Sequence, residues 1–159
     1  MPDRSQPMDG GCRCGRLRVR VSAAPLLTSA CHCPGCQKMT ASAFSLSIAI
    51  PDEGFAIVAG ETEIGGLHGA AQHHFCRICK TWVYSRMAAL GPFVNLRAPI
   101  LDDHAWFVPY IEMYTSTKLP WAATGAPRSA PEFPDMADYG QLLADYRRWA
   151  EAGGISAEH

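Results

Sequence analysis

The sequence predicts a mainly β fold of antiparallel strands, closed by one C-terminal helix. Three observations predict it. Two stretches alternate apolar and polar residues with period two, Gly, Pro and Asp turn signals cut most of the remainder into short runs, and a single helical stripe lies near the end.

Residues 1–9 are polar and contain proline, which predicts a flexible tail. Beyond it Leu17, Val19 and Val21 alternate with Arg16, Arg18 and Arg20, as a half-buried strand does. FSLSIAI at 44–50 repeats the pattern and sets Phe44, Leu46, Ile48 and Ile50 against Ser45, Ser47 and Ala49. Shorter runs at FAIV (55–58), TWVY (81–84), PFVNLR (92–97) and WFVPYIEMY (106–114) read as further strands. Pro120–Pro134 carries four prolines and no periodicity, so an irregular connection is expected, with 123–134 as the link to a helix. That helix is read over 135–152. Asp135 can cap it, Tyr139, Leu142, Leu143, Tyr146 and Trp149 share one face, Arg147 and Arg148 suit its last turns, and Gly153-Gly154 stops it. The face is expected to dock on the same domain, residues 10–122.

Length and a 48% hydrophobic content allow one sizeable core, hence one domain. A net charge of −1 offers no broad attraction for phosphate backbones or anionic lipid, so neither nucleic acid nor membrane is an expected partner. MPDRSQPMDG has no apolar run of the secretory kind, and no segment approaches the roughly 20 apolar residues that span a bilayer. A cytoplasmic protein is expected.

The seven cysteines fall in three clusters, GGCRCG at 10–15, CHCPGC at 31–36 and FCRIC at 75–79. An odd count at one- and two-residue spacings fits metal ligation better than a disulfide framework. A C-x-C pair on extended chain points both side chains one way, and a C-x-x-C pair converges across a tight turn. Cys12, Cys14, Cys76 and Cys79 would complete one closed zinc site, leaving Cys31, Cys33 and Cys36 as a second site one ligand short. Spacing alone also allows Cys12, Cys14, Cys33 and Cys36 together, or a fourth ligand from His32, His74 or His104.

These residues resemble the GFA family, named for glutathione-dependent formaldehyde-activating enzyme, which also includes centromere protein V. GGCRCG is similar to its G-C-x-C-G opening, CHCPGCQK to its C-H-C-x-x-C, and HFCRICKT to its F-C-x-x-C-G-T; VNLRAPILDDHAW and KLPW extend the likeness over residues 10–122. The resemblance implies a β-tent fold and the four-plus-three metal split, with a zinc clasp at Cys12, Cys14, Cys76 and Cys79 and an active-site zinc at Cys31, Cys33 and Cys36, two ions per chain. Lys80 and Ala41 stand where the family usually has glycine, and Lys80 would need a left-handed backbone.

Three thiolates on a dication leave a charge of about minus one, a weak Lewis acid that suits a further thiolate better than hydrolysis. With the substrate the family implies, this gives a carbon–sulfur lyase that reversibly joins a small thiol such as glutathione to formaldehyde or a related carbonyl. His32 and His104 are the candidates for general acid or base, although His32 alternates with two ligands and so points away from them. Lys38 and Arg97 are the candidates to meet carboxylates of a glutathione-like ligand. His68, His73 and His74 lie in an expected Gly/Ala/His loop. The competing reading is a non-catalytic zinc-stabilised β module that binds a protein partner through an exposed WFVPYIEMY patch.

Overall fold

Val19 and Val21 have at most 1% of their surface exposed, while the arginines that alternate with them turn outward to carboxylates: Arg20 Nε donates to Asp9 Oδ1 at 2.7 Å and Arg18 Nη1 to Asp102 Oδ1 at 3.0 Å. Period two therefore sorts this strand as the sequence predicts. The computed structural model describes residues 6–155. In chain order its elements are β1 (Met8–Gly11), β2 (Arg18–Val21), β3 (Leu27–Cys31), α1 (Pro34–Thr40), β4 (Ser45–Pro51), β5 (Phe55–Ala59), β6 (Thr62–His68), β7 (Ala71–Cys76), β8 (Trp82–Arg86), β9 (Phe93–Arg97), β10 (Ile111–Met113), β11 (Arg128–Ser129) and α2 (Met136–Glu151). The fold is mainly β with a C-terminal helix. The stretch read as one domain is shared between two compact units, joined where the chain passes from one to the other.

The first unit comprises the described residues up to Pro25 with Ile48–Ala105. It holds an antiparallel sheet ordered β1-β2-β5 and a second run ordered β4-β9-β8-β7-β6, with β4 represented by Ile48–Pro51. Ile48, Ile50, Val83, Val94, Leu96 and Leu101 are at most 1% exposed, and burial of each such side chain contributes about 1.5–3 kcal/mol. Residues 1–5 of the expected tail lie outside the described residues, and Met8 and Asp9 pair with Val21 and Arg20 in β1. The tail reading failed there because the two glycines that end the strand, Gly10 and Gly11, masked it.

The second unit comprises Leu26–Ser47 and Trp106–His159, described as far as residue 155. Its sheet runs β11-β10-β3 and takes in the Ser45–Ser47 end of β4. Here the antiparallel expectation gives way: β10 pairs parallel with β3, Glu112 opposite Ala30 and Met113 opposite Cys31, and parallel with β11. β11 lies inside the stretch read as wholly irregular. Of WFVPYIEMY only Ile111–Met113 is strand, since Pro109 cannot donate to a ladder. In β4 the serine face is buried, Ser45 at 2% and Ser47 at 6% exposure, while Phe44 and Leu46 are half-buried. Alternation misjudged it because Ser47 to Ile50 are all buried, as in a strand covered on both faces.

α2 follows its sequence signals. Asp135 caps it, Oδ1 accepting from Ala137 N at 3.0 Å, and Tyr139 and Tyr146 are its buried residues. Tyr146 meets Tyr110 edge-on at 5.6 Å and Trp149 lies 5.0 Å from the same ring. α1 was not read from the sequence. Pro34 starts it with φ already fixed and Cys33 serves as its cap, so a metal-ligand motif doubles as a helix start.

Candidate metal centres

Cys12 and Cys76 each open a tight turn at the end of a strand, and the two turns share a hydrogen-bond pattern. Cys12 N donates to Leu17 O at 3.1 Å and Cys12 O accepts from Gly15 N at 2.9 Å; Cys76 N donates to Thr81 O and Cys76 O accepts from Lys80 N, both at 2.9 Å. Such turns aim backbone N–H groups at sulfur, as where Leu17 N meets Cys12 Sγ at 3.3 Å. Thr81 ties the turns together, its Oγ1 lying 3.1 Å from Cys79 Sγ and accepting from Arg13 N at 3.2 Å. Sequence reasoning missed Thr81. Lys80 has φ 60, the left-handed conformation expected for it. The sulfurs of Cys12, Cys14, Cys76 and Cys79 lie within 4.8 Å of one another.

Cys31, Cys33 and Cys36 form the second group, also within 4.8 Å of one another. Cys31 ends β3, Cys33 caps α1, and Cys36 sits in its first turn, donating N–H to Cys33 Sγ at 3.3 Å. The thiols of the described residues thus fall into these two groups, and neither group contains a histidine. The thiols share one charge unequally. Hydrogen bonds from Cys31 and Cys36 hold Cys33 ionised, its pKa pulled to about 2, and the bonds to Cys33 and Cys36, with burial, push Cys31 far above the usual thiol range. A divalent cation would displace the two protons that remain, on Cys31 and Cys36, and relieve that crowding, so the donor set fits a thiophilic metal.

His32, between two of these thiols, is turned away from them. Its ring is fully buried, Nε2 donates to Glu112 Oε2 at 3.0 Å, and Nδ1 has no hydrogen-bond partner among the described residues. Burial works to raise the Glu112 carboxyl, but hydrogen bonds from Lys118, Thr124 and His32 overcome it and hold the pKa below its usual value. Lys118 Nζ lies 2.9 Å from Oε1 and Thr124 Oγ1 2.9 Å from Oε2. The His32 backbone is held too: N donates to Met113 O at 3.0 Å, and O accepts from Gln37 Nε2 at 2.8 Å and Thr117 Oγ1 at 3.1 Å. Glu112, Gln37 and Thr117 escaped sequence reasoning, although an acid inside the apolar run WFVPYIEMY is a signal that could have found Glu112. Tyr114, also missed, follows the residue paired with Cys31 and has φ 58; burial, then the charges of Cys31 and Cys33, raise its pKa.

Lys38 is exposed on α1. Arg97, in the first unit, is 8% exposed, stacks its guanidinium 4.1 Å from the Trp82 ring centre and donates Nη2–H to Asn95 O at 2.9 Å. His104, in the same unit, is exposed, and its Nδ1 donates to Leu101 O at 2.8 Å. His73 and His74 are in strand β7, not in a loop; His73 Nδ1 meets Ser85 Oγ at 2.7 Å and His74 stacks on Tyr84 at 4.3 Å. The WFVPYIEMY patch is not exposed, with Trp106, Tyr110, Ile111 and Met113 all at 7% or less, because these side chains serve as core.

A family model described as glutathione-dependent formaldehyde-activating enzyme matches residues 7–117. A relative in Aspergillus flavus, provisionally named as such an enzyme, is 25% identical over 111 residues, 67% of this chain and 58% of its own length. One in Halomonas elongata with the same provisional name is 31% identical over 88 residues, 48% of this chain and 55% of its own. The chain thus spans little more than half the length of these relatives. A crystal structure of a Rhodobacter sphaeroides protein aligns at 20% identity with a TM-score of 0.49, covering 60% of this chain and 88% of that one. With more than half of its residues matched, and every cysteine of the three motifs within the matched stretch, the chain belongs to the glutathione-dependent formaldehyde-activating enzyme family.

Proposed function

We propose that this chain is a zinc-dependent carbon–sulfur lyase that reversibly joins a small thiol, of which glutathione is the type, to formaldehyde or a related carbonyl. The observation that carries this reading is the separation of seven thiols into a group of four and a group of three. Four thiolates complete a tetrahedron and stabilise the fold; three leave one position for a visitor. Zinc at Cys31, Cys33 and Cys36 would supply a soft, thiolate-rich Lewis acid that takes the sulfur of a thiol or of its adduct. The half-buried setting of the three cysteines leaves that sulfur a way in, since Pro34 and Gly35 beside them are exposed. In the joining direction the carbon–sulfur bond forms, the carbonyl π pair moves to oxygen, and the thiol proton ends on that oxygen. Tyr114, kept protonated by burial and the neighbouring thiol charge, is the donor we assign to the oxygen. Lys38 is the cation we assign to a substrate carboxylate. No helix among the described residues is long and apolar enough to cross a membrane, and free thiols suit the reducing cytoplasm in which we place the protein.

The test is elemental analysis followed by turnover. Two zinc ions per chain are expected, with Cys36→Ser losing one while the variant stays folded, and exchange spectroscopy on glutathione with formaldehyde should show acceleration by the metal-loaded chain. One zinc per chain in the unsubstituted protein overturns the reading. Full loading without acceleration rejects this substrate pair and returns the reading to a zinc-stabilised binding module, which must then use a surface other than WFVPYIEMY.

A further inference from the structure

We propose that Glu112 is a positioning residue of the three-thiol centre: acting through His32, it fixes the peptide that joins Cys31 to Cys33 and so holds those two sulfurs at ligand spacing. The inference rests on the reading that these thiols hold the reactive metal.

Register makes the arrangement. β3 and β10 run parallel with Ala30 opposite Glu112 and Cys31 opposite Met113, and side chains at alternate positions share a face. Cys31 therefore takes one face, and His32 takes the face of Ala30 and Glu112. Among the described residues the bond to Glu112 is the one hydrogen bond of a ring with no exposed surface. Without that acceptor both ring nitrogens would be buried and unmet, a state the fold relieves by moving the ring and the peptide that carries it. Glu112 is itself fixed on three sides, by His32, Lys118 and Thr124, which leaves little slack to transmit. The backbone bonds of His32 to Met113, Gln37 and Thr117 limit its translation, and the bond to Glu112 sets its rotation. Carboxylates that orient metal-site histidines are a known device; here the oriented histidine lies between two ligands instead of being one.

Cobalt(II) substitution in the full chain tests this, because sulfur-to-cobalt charge-transfer and d–d bands report each thiolate set, and chelator competition gives each dissociation constant. Glu112→Ala is expected to weaken cobalt binding at the three-thiol centre about 10–100-fold and shift its bands, with the four-thiol centre unchanged. Glu112→Gln, which keeps an acceptor oxygen, should fall between parent and alanine. On a His32→Ala background, Glu112→Ala should add less than about twofold, since its route is already cut. Parent-like constants and bands in Glu112→Ala, or a loss that repeats in full on the His32→Ala background, overturn the proposal while the functional reading stands. A parent chain that takes one cobalt overturns the functional reading and the proposal with it. If Glu112→Ala also loses the four-thiol cobalt, its fold has failed and Glu112→Gln decides: shifted bands at the three-thiol centre support the proposal, and parent bands overturn it.

Discussion

Cys14 Sγ lies 4.0 Å from Cys76 Sγ although 62 residues separate them along the chain. A metal held by these sulfurs with Cys12 and Cys79 closes a long loop, and the closed state requires the native fold. Removing one ligand is therefore expected to be a folding defect. Cys76→Ser should lose more than about 4 kcal/mol or fail to fold, whereas Cys36→Ser should melt within about 1 kcal/mol of the parent. Urea melts with metal analysis on both variants check this, and equal destabilisation would show that the second group also carries the fold.

Gly10, in the first cysteine motif, sits where backbone approaches backbone. A Cβ added there would lie 2.3 Å from Ile100 O, opposite the bridge between Gly10 and Leu101. A main-chain oxygen cannot swing aside as a side chain can. Gly10→Ala is expected to cost about 1–3 kcal/mol in urea melts. A change below about 0.5 kcal/mol would show that β1 shifts freely.

How much of this was legible before the structure depends on which physical signal each element carries. Metal grouping was legible because ligand spacing is local: a C-x-C on extended chain and a C-x-x-C at a turn each supply two sulfurs wherever they occur. The closing helix was legible because Asp135, the Tyr139/Tyr146 stripe and Gly153 agree with one another. Strands β6 and β7 were not, since TEIGGLH and AQHHFC carry neither alternation nor β-branched runs and owe their strand form to pairing with each other. Nor was Glu112. Its partner His32 lies 80 residues away, and a register between two short parallel strands leaves no trace in either segment.

Ala41 ends α1 in the left-handed region, φ 50 and ψ 40, with an exposed side chain. Such a conformation costs an L residue about 1–2 kcal/mol, and glycine escapes it at an entropic cost of about 0.5–1 kcal/mol in the unfolded chain. The difference favours Ala41→Gly by up to about 1 kcal/mol, read as a rise of a few degrees in Tm. Lys80→Gly should gain less, because Lys80 Nζ donates to Arg77 O at 2.9 Å and pairs with Glu63. Ala41→Gly melting below the parent would refute the strain argument.

Tyr139 on α2 has its pKa raised, and burial is the cause. A folded-state pKa above the unfolded value of about 10 means that the group's contribution is fully present below pH 10 and is lost as pH rises through the folded value. The parent should therefore lose stability as pH rises above about 10 more steeply than Tyr139→Phe, with the two curves parallel below about pH 9. Urea melts across that range, with tyrosinate absorbance to follow ionisation, decide it; parallel curves throughout would mean that Tyr139 ionises as freely folded as unfolded.

Tyr114 joins two features that seldom coincide without a use. It is not glycine, yet it holds φ 58 and ψ 43, and its carbonyl is clamped by Thr117 N at 3.1 Å and Thr117 Oγ1 at 3.2 Å. Strain of about 1–3 kcal/mol persists where surrounding structure over-determines it, and such residues cluster at reacting sites. Tyr114→Phe keeps the ring and the clamp and removes one O–H. If that hydroxyl donates to the substrate oxygen as charge builds, kcat should fall about 100-fold with little change in KM, because the bond strengthens toward the transition state. Metal content and Tm should match the parent. An unchanged kcat would remove Tyr114 from the reaction and leave its backbone strain as a feature of the turn alone.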